Sequence, residues 1–480
     1  MNRIFINGHR NLVRLFSTRY HCGELRPSNV NQEVKVSGWL QFQRLNGKFF
    51  TLRDGHGVTQ VIVPDDSLEL LKIVETASLE SIIEVIGEVK LRPDGLKNSK
   101  MATGEIEVVA KSVTILNQCL LEPQPFQVNR ASSVNEFTRL QYRYIDLRSI
   151  EMQEAIRTRS AFIQCLRRFF IDSNRFIEVE TPLLFRKTPA GAREFIVPTR
   201  NIGHYFCLPQ SPQQFKQVLM ASGIDRYFQI ARCFRDESAR VDRQPEFTQM
   251  DIEMAFSSEQ EVQSLVEHGL LQTWPLFKNI TSPQPPIPFQ RMKYSDAIEN
   301  YGTDKPDLRF PWKIEKSKSH EFIVFSGCYK MFTGGQDGKR NLFDLEKAIV
   351  QKYPNSKCYI LKLTKNVKKM KSVGNVYCPK EICSEILETF KCDSVNEDSL
   401  VVVSPSIDHA KLWLGQARQF ICMLCEKVGW PPGADLKNRF EWLWIYDFPM
   451  FCPETDEATT QSKIGIECGH HPFTGKQFSN

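Results

Sequence analysis

Between Phe234 and Phe256 the chain reads FRDESARVDRQPEFTQMDIEMAF, a stretch whose charges could hold a charged ligand. Arg235, Asp236 and Glu237 stand side by side, Arg243 and Gln244 follow, and a strict polar/apolar alternation closes the stretch. On a strand, that alternation puts Gln249, Asp251 and Glu253 on one face and Met250, Ile252 and Met254 on the other. Two carboxylates sharing a face repel unless cations neutralise them. Arg235, Lys216 or a bound ammonium group could do so. The pattern fits a polar floor for a charged ligand; the residues alone also allow a salt-bridged surface sheet.

A second stretch, LPQSPQQFKQ, reads as the start of a helix. Ser211 can cap it, Pro212 suits its first position, and Gln214 stands where a capping box wants it. Such a start favours anions, and Gln213 and Lys216, three apart, share a face. An ordinary capped helix with a solvated lysine satisfies the same residues.

The elements that must carry these groups are legible around them. RYFQIARCF reads as a strand leading into Arg235, and EFTQMDIEMAF as its antiparallel return. Upstream, EAIRTRSAFIQCLRRFFIDSNRF has Ile156, Ser160, Ile163, Leu166 and Phe170 at helical spacing, and FIEVETPLL reads as a strand closed by Pro182. From Glu33 to Leu116, five strand-like runs alternate between turn signals at Asn46-Gly47, Asp54-Gly55 and Pro93-Asp94-Gly95. This predicts a small barrel, with the five-stranded OB-fold the leading candidate and an SH3-like barrel the alternative. Phe49, with Arg44 and Gln60 nearby, could stack on bases and track a nucleic-acid backbone. Residues 311–425 read as a separate small α+β unit.

Composition sets the bounds. The chain has 480 residues, 25% charged and 41% hydrophobic, with a formal charge of +6, a soluble globular profile that neither requires nor excludes a polyanionic partner. No run of eighteen apolar residues predicts a membrane span. The 14 cysteines are scattered, and Cys422-x-x-Cys425 has no matching second pair, so no metal site is predicted. Residues 1–22 carry Arg3, Arg10, Arg14 and Arg19 with no acid before Glu24, the pattern of a mitochondrial presequence, with a disordered basic tail the alternative.

Taken in order, GWLQFQR, YRYIDLR, FIEVETPLL, TPAGAREFIVPTR, LPQSPQQFKQ, RYFQIARCFRDE, RQPEFTQMDIEMAF, DKPDLRF, FPMF and HHPFT resemble the class II aminoacyl-tRNA synthetases, and among them the bacterial-type aspartyl enzymes of mitochondria. The resemblance runs from about Tyr20 to Thr474. It implies an α+β protein: an N-terminal OB-fold β-barrel that reads the anticodon, an antiparallel catalytic sheet flanked by helices, and an inserted α+β domain. The corresponding division is a presequence at 1–22, the OB-fold at 23–118, a linker at 119–140, the catalytic domain at 141–310, the insertion at 311–425 and the resumed catalytic domain at 426–480.

The resemblance also implies roles. Arg235 would hold the α-phosphate of ATP and the substrate carboxylate, with Asp236, Glu237 and Gln244 beside the nucleotide and Arg235 and Glu237 as the catalytic pair. Gln213, Lys216, Asp251 and His470 would join Arg235 around L-aspartate, Asp251 near the ammonium group and Lys216 at the side-chain carboxylate. Arg44, Phe49 and Gln60 would meet the anticodon of tRNA-Asp. ATP and Mg2+, a homodimer built through FIEVETPLL, no membrane, and the mitochondrial matrix complete the picture. Two departures stand out. Ala190 stands where many members carry Glu. After HHPFT the ending GKQFSN does not match, whereas the family continues into a strand and helix bearing an ATP-binding arginine, an acid for magnesium and an arginine for the aspartate side chain. On that basis a truncated form, weak or inactive as a ligase, is expected, with a non-catalytic tRNA-binding or dimerising product as the alternative.

Overall fold

The computed structural model describes residues 19–120, 124–188, 193–237, 243–277, 280, 282–332, 335–352, 359–364, 370–373, 376–390, 398–404, 410–431, 433, 435–455 and 462–468. The chain divides at Ala161/Phe162 into two compact units.

In the first unit, β1 (Arg19–Tyr20), β2 (Glu33–Arg44), β3 (Phe49–Asp54), β4 (Gly57–Ile62), β5 (Ile82–Leu91) and β6 (Ile106–Asn117) form one sheet. Its order is β1-β2-β3-β4-β6-β5, and β5 pairs back onto β2, which closes a barrel. Alternation explains the closure: Val36, Leu40, Phe50, Leu52, Val61 and Val85 point inward and are buried. The β2–β3 connection needs Gly47 at φ 80°, a left-handed conformation glycine adopts without strain. Helix α1 (Leu68–Thr76), which the strand-like reading did not anticipate, lays Val74 on the barrel core. The segment expected as a linker also carries structure. Phe126, Val128, Ala131 and Ile145 bury together, and Asn135 accepts the Thr138 N–H to cap the short helix Glu136–Gln141.

The second unit begins within α2 (Ile150–Arg168) and continues through β7 (Ile177–Glu178), the hairpin β8 (Ile196–Pro198) and β9 (Tyr205–Cys207), α3 (Gln213–Ala221), β10 (Arg226–Phe234), β11 (Glu246–Met254) and α4 (Glu259–Thr273). β10 lies between antiparallel β11 and parallel β7. Leu166, Phe170, Phe176, Phe228 and Leu265 form a core under one face of this sheet, and Met250, Ile252 and Met254 pack against it. FIEVETPLL keeps only two residues in register, and Pro182 beyond them has no N–H to offer a ladder. At α3 the capping box is not formed. The helix starts at Gln213, Pro212 takes the cap position with no side-chain cap bond, and the Lys216 N–H reaches the Pro212 carbonyl at 3.0 Å.

Further on, β12 (Gln290–Lys293) and α5 (Tyr294–Tyr301) precede an antiparallel five-stranded sheet. It comprises β13 (Glu315–Lys316), β14 (Glu321–Phe325), β15 (Tyr359–Leu363), β16 (Met370–Ser372) and β17 (Ser399–Val403), ordered β13-β14-β17-β15-β16. α6 (Gly335–Lys352) and α8 (Ala410–Val428) contribute to the core on one face, and α7 (Lys380–Thr389) to that on the other. Both faces of β17 are therefore covered, which suits its unbroken SLVVV sequence. The chain then returns as β18 (Leu443–Tyr446), parallel to β12, and β19 (Phe451–Thr455) pairs with β20 (Ser462–Cys468).

Candidate catalytic floor and nucleic-acid face

The register of β10 on β11 sets Tyr227 against Glu253, Gln229 against Asp251, Ala231 against Gln249 and Cys233 against Phe247. Directly paired residues share a face, so one surface of the sheet carries Glu253, Asp251, Gln249 and Phe247 beside Tyr227, Gln229, Ala231 and Cys233. Lys216 descends onto this surface from α3. Its Nζ lies 3.0 Å from Asp251 Oδ1 and 3.0 Å from Glu253 Oε2. Burial pulls the ammonium pKa down, but the two carboxylates more than offset it and leave it raised. Burial pushes Asp251 up, and that outweighs the attraction of Lys216.

Two polar atoms on this floor are buried without a partner among the described residues, Asp251 Oδ2 and Arg235 Nε. Arg235 follows the last residue of β10, its backbone N–H bonds the Pro245 carbonyl at 2.8 Å, and its guanidinium lies 5.1 Å from the Phe247 ring centroid. Cys233 feels both charges: burial and Asp251 push its thiol up to about 11, while Arg235 pulls it down. The floor thus offers a carboxyl oxygen and a guanidinium N–H, each buried without a hydrogen-bond partner among the described residues. An ammonium group would satisfy the first and an oxyanion the second.

Of the other residues singled out from sequence, Gln213 sits one turn before Lys216 on α3. Asp236 donates its backbone N–H to the Arg193 carbonyl at 2.8 Å. Glu237 and Arg243, both exposed, pair at 3.6 Å across the β10–β11 connection, with exposed Gln244 next to Arg243. Ala190 and His470 lie outside the described residues.

In the first unit, Arg44 pairs with Phe49 across β2–β3, and its guanidinium lies 5.4 Å from the Phe49 ring centroid. Gln60 faces Thr51 across β3–β4, which puts it on the Phe49 side, and it donates to Glu107 Oε2 at 3.0 Å. Phe50 points the other way, into the core. Three neighbours were not singled out from sequence. Phe42, 55% exposed, shares the face of Arg44. Buried Glu107 has its carboxyl raised by burial against the pull of Gln60 and Arg92. Arg92 donates from Nε to the Ile106 carbonyl at 2.9 Å and keeps Nη2 buried without a partner among the described residues. Exposed Phe42 was visible as an aromatic two residues before Arg44; Glu107 is 47 residues from Gln60, and only the β4–β6 pairing joins them.

A closed barrel in the first unit and a sheet with a charged floor in the second are the two domain types of a class II aminoacyl-tRNA synthetase. The family described as "tRNA synthetases class II (D, K and N)" matches residues 135–480, and "OB-fold nucleic acid binding domain" matches residues 34–116. A mitochondrial aspartate–tRNA ligase of Bos taurus is 38% identical over 94% of this chain and 69% of its own length. An aspartate–tRNA(Asp/Asn) ligase of Treponema denticola is 39% identical over 95% of this chain and 76% of its own. The asparaginyl-tRNA synthetase of Pyrococcus horikoshii, solved with asparaginyl-adenylate, shares the fold at a TM-score of 0.51 and 16% identity, covering 84% of this chain and 95% of that one. The chain belongs to the aspartate–tRNA ligase family of class II synthetases.

Proposed function

We propose that the chain activates L-aspartate with ATP and transfers it to tRNA-Asp. The observation that carries this is the pair of buried atoms on one floor, one from an acid and one from a base, that have no hydrogen-bond partner among the described residues: Asp251 Oδ2 and Arg235 Nε. The aspartate ammonium would complete Asp251, and its α-carboxylate and the α-phosphate of ATP would meet Arg235, whose planar fork binds oxyanions bidentately. Lys216, held protonated by Asp251 and Glu253, would face the side-chain carboxylate with Gln213 beside it, and His470 would complete that end. Asp236, Glu237 and Gln244 would border the nucleotide.

The α-carboxylate attacks the α-phosphorus in line and pyrophosphate leaves; the terminal ribose hydroxyl of the tRNA then takes the aspartyl group and AMP leaves. Both steps need positioning and charge neutralisation more than a protein nucleophile. Among the described residues no three acidic, histidine or cysteine side chains stand together as a cation cage. Magnesium would enter with the nucleotide, as part of the MgATP substrate.

On the barrel, Phe49 would stack on an anticodon base, with Arg44 and Gln60 alongside. Exposed Ile177, Leu183 and Leu184 support a homodimer through that segment, and the Arg-rich residues 1–22 support the mitochondrial matrix. The test is ATP–pyrophosphate exchange. Exchange that depends on aspartate and not on asparagine or lysine is expected. Binding of tRNA-Asp with no exchange by the folded protein would overturn the catalytic assignment and leave a binding protein.

A further inference from the structure

Glu194 is buried, lies outside the charged floor, and is the point at which the segments carrying that floor are tied together. Its carboxylate accepts the Thr188 N–H at 3.1 and 3.3 Å and the Gln210 side-chain N–H at 3.1 Å. The Thr188 hydroxyl also donates to it, while accepting from Gln210 at 3.2 Å. The main chain on either side extends the tie: the Phe195 carbonyl accepts the Leu208 N–H at 3.0 Å, and the Arg193 carbonyl accepts the Asp236 N–H at 2.8 Å. Beside them, the Phe234 N–H bonds the Pro209 carbonyl at 2.9 Å. Gln210 stands three residues before Gln213, where α3 begins, and Asp236 directly follows Arg235.

We propose that Glu194 is a positioning residue for aspartate activation: by clasping Thr188 to Gln210 it sets the spacing between the end of β10, with Arg235, and the start of α3, with Gln213 and Lys216. This rests on the ligase activity proposed above. The clasp consists almost wholly of donors converging on one carboxylate, so a neutral amide cannot replace it. One end of a glutamine would present N–H groups to the N–H groups of Thr188 or Gln210. Burial pushes the Glu194 carboxyl up, but the bonds from Thr188, Gln210 and Cys207 hold it below its ordinary value, so the clasp is ionised at neutral pH.

The test compares wild type, Glu194→Gln and Glu194→Asp as full chains, by aspartate-dependent ATP–pyrophosphate exchange and by backbone deuterium exchange. Misplacing binding groups by about 1 Å costs on the order of 100-fold. Glu194→Gln should therefore raise KM for aspartate roughly 10- to 100-fold, with a smaller change in kcat. It should speed deuterium uptake at Leu208, Phe234 and Asp236 but not in the barrel strands. Glu194→Asp should recover much of both. A folded Glu194→Gln protein with unchanged KM and unchanged uptake overturns the proposal, as does Glu194→Asp being no better than Glu194→Gln. If the wild type shows no aspartate-dependent exchange, the ligase assignment fails, and deuterium uptake at those amides alone decides the clasp. Should Glu194→Gln not fold, Gln210→Met removes one donor, keeps the carboxylate, and is judged by the same two measurements.

Discussion

Replacing Asp251 with asparagine separates the floor's role in ligand binding from its role in folding. Asp251 gives one oxygen to Lys216 at 3.0 Å and leaves the other buried and unpartnered among the described residues. For stability, the substitution has two opposing effects. It removes the cost of a buried charge, which is what raises this carboxyl. It also takes one of two carboxylates from Lys216, which keeps Glu253 at 3.0 Å. Because the lysine is not left unpaired, folding should change by only about 1 kcal/mol. For the ligand there is no such offset. A charge-assisted hydrogen bond to the aspartate ammonium contributes roughly 1.5–3 kcal/mol, so the Kd for L-aspartate should rise roughly 10- to 150-fold. Calorimetric titration with L-aspartate, paired with urea unfolding, measures both. Succinate, which has the two carboxylates but no ammonium, is the control and should lose little. The reasoning is refuted if Asp251→Asn keeps aspartate affinity within about threefold, a difference of only some 0.7 kcal/mol, or if succinate binding falls as much as aspartate binding.

Other expectations follow from the same geometry. Arg235→Lys keeps the charge but loses the fork, and should lower the pyrophosphate-exchange rate by about 100-fold or more. Phe49→Ala on the half-buried barrel face should weaken tRNA-Asp binding by about 1–3 kcal/mol, the contribution of one base stack, while leaving aspartate-dependent exchange unchanged. Gly415→Ala would put a Cβ 2.1 Å from the Gly302 carbonyl, where the backbone of α5's end meets α8, and should destabilise the second unit by about 1–3 kcal/mol or more in urea unfolding. Because folding raises the Asp251 carboxyl above its ordinary 3.8, the folded chain binds the extra proton in the range just above that value. Wild-type stability relative to Asp251→Asn should accordingly be highest below it and decline as pH rises through the folded value. A difference that grows with pH in that range would refute it.

The parts of the site legible in the sequence are those written along one element. The alternation of Gln249, Asp251 and Glu253 with Met250, Ile252 and Met254 needs only the two-residue period of a strand, and the core packs on the predicted face. The barrel strands were legible for the same reason. What pairs with the floor was not. Lys216 reaches Asp251 across 35 residues of sequence, and its spacing from Gln213 alone was equally compatible with a solvated side chain. The start of α3 was misread locally. Ser211 and Gln214 have the right types for a capping box, but Pro212 takes the cap position itself and the helix begins one residue later. α1 was missed because LELLKIVET sits between strands in a stretch otherwise rich in two-residue alternation, and only its packing on the barrel reveals what its apolar residues cover.

The contacts that sequence could not supply are also those that favour the proposed binding surface over a salt-bridged sheet. A surface sheet would pair its acids with solvated cations and leave no buried polar atom wanting. Here Lys216 is buried over the sheet and satisfies one oxygen of Asp251, while the other oxygen is buried without a partner among the described residues. Arg235 is treated alike from the other end: its main chain is fixed to Pro245 and its plane rests near Phe247, yet Nε is buried without an acceptor among the described residues. Leaving a buried polar group unpaired costs roughly 1–3 kcal/mol, a cost recovered when a ligand supplies the missing partner. A zwitterion would complete both ends at once, and on the proposed reading the amino acid, rather than the nucleotide alone, would therefore occupy this floor.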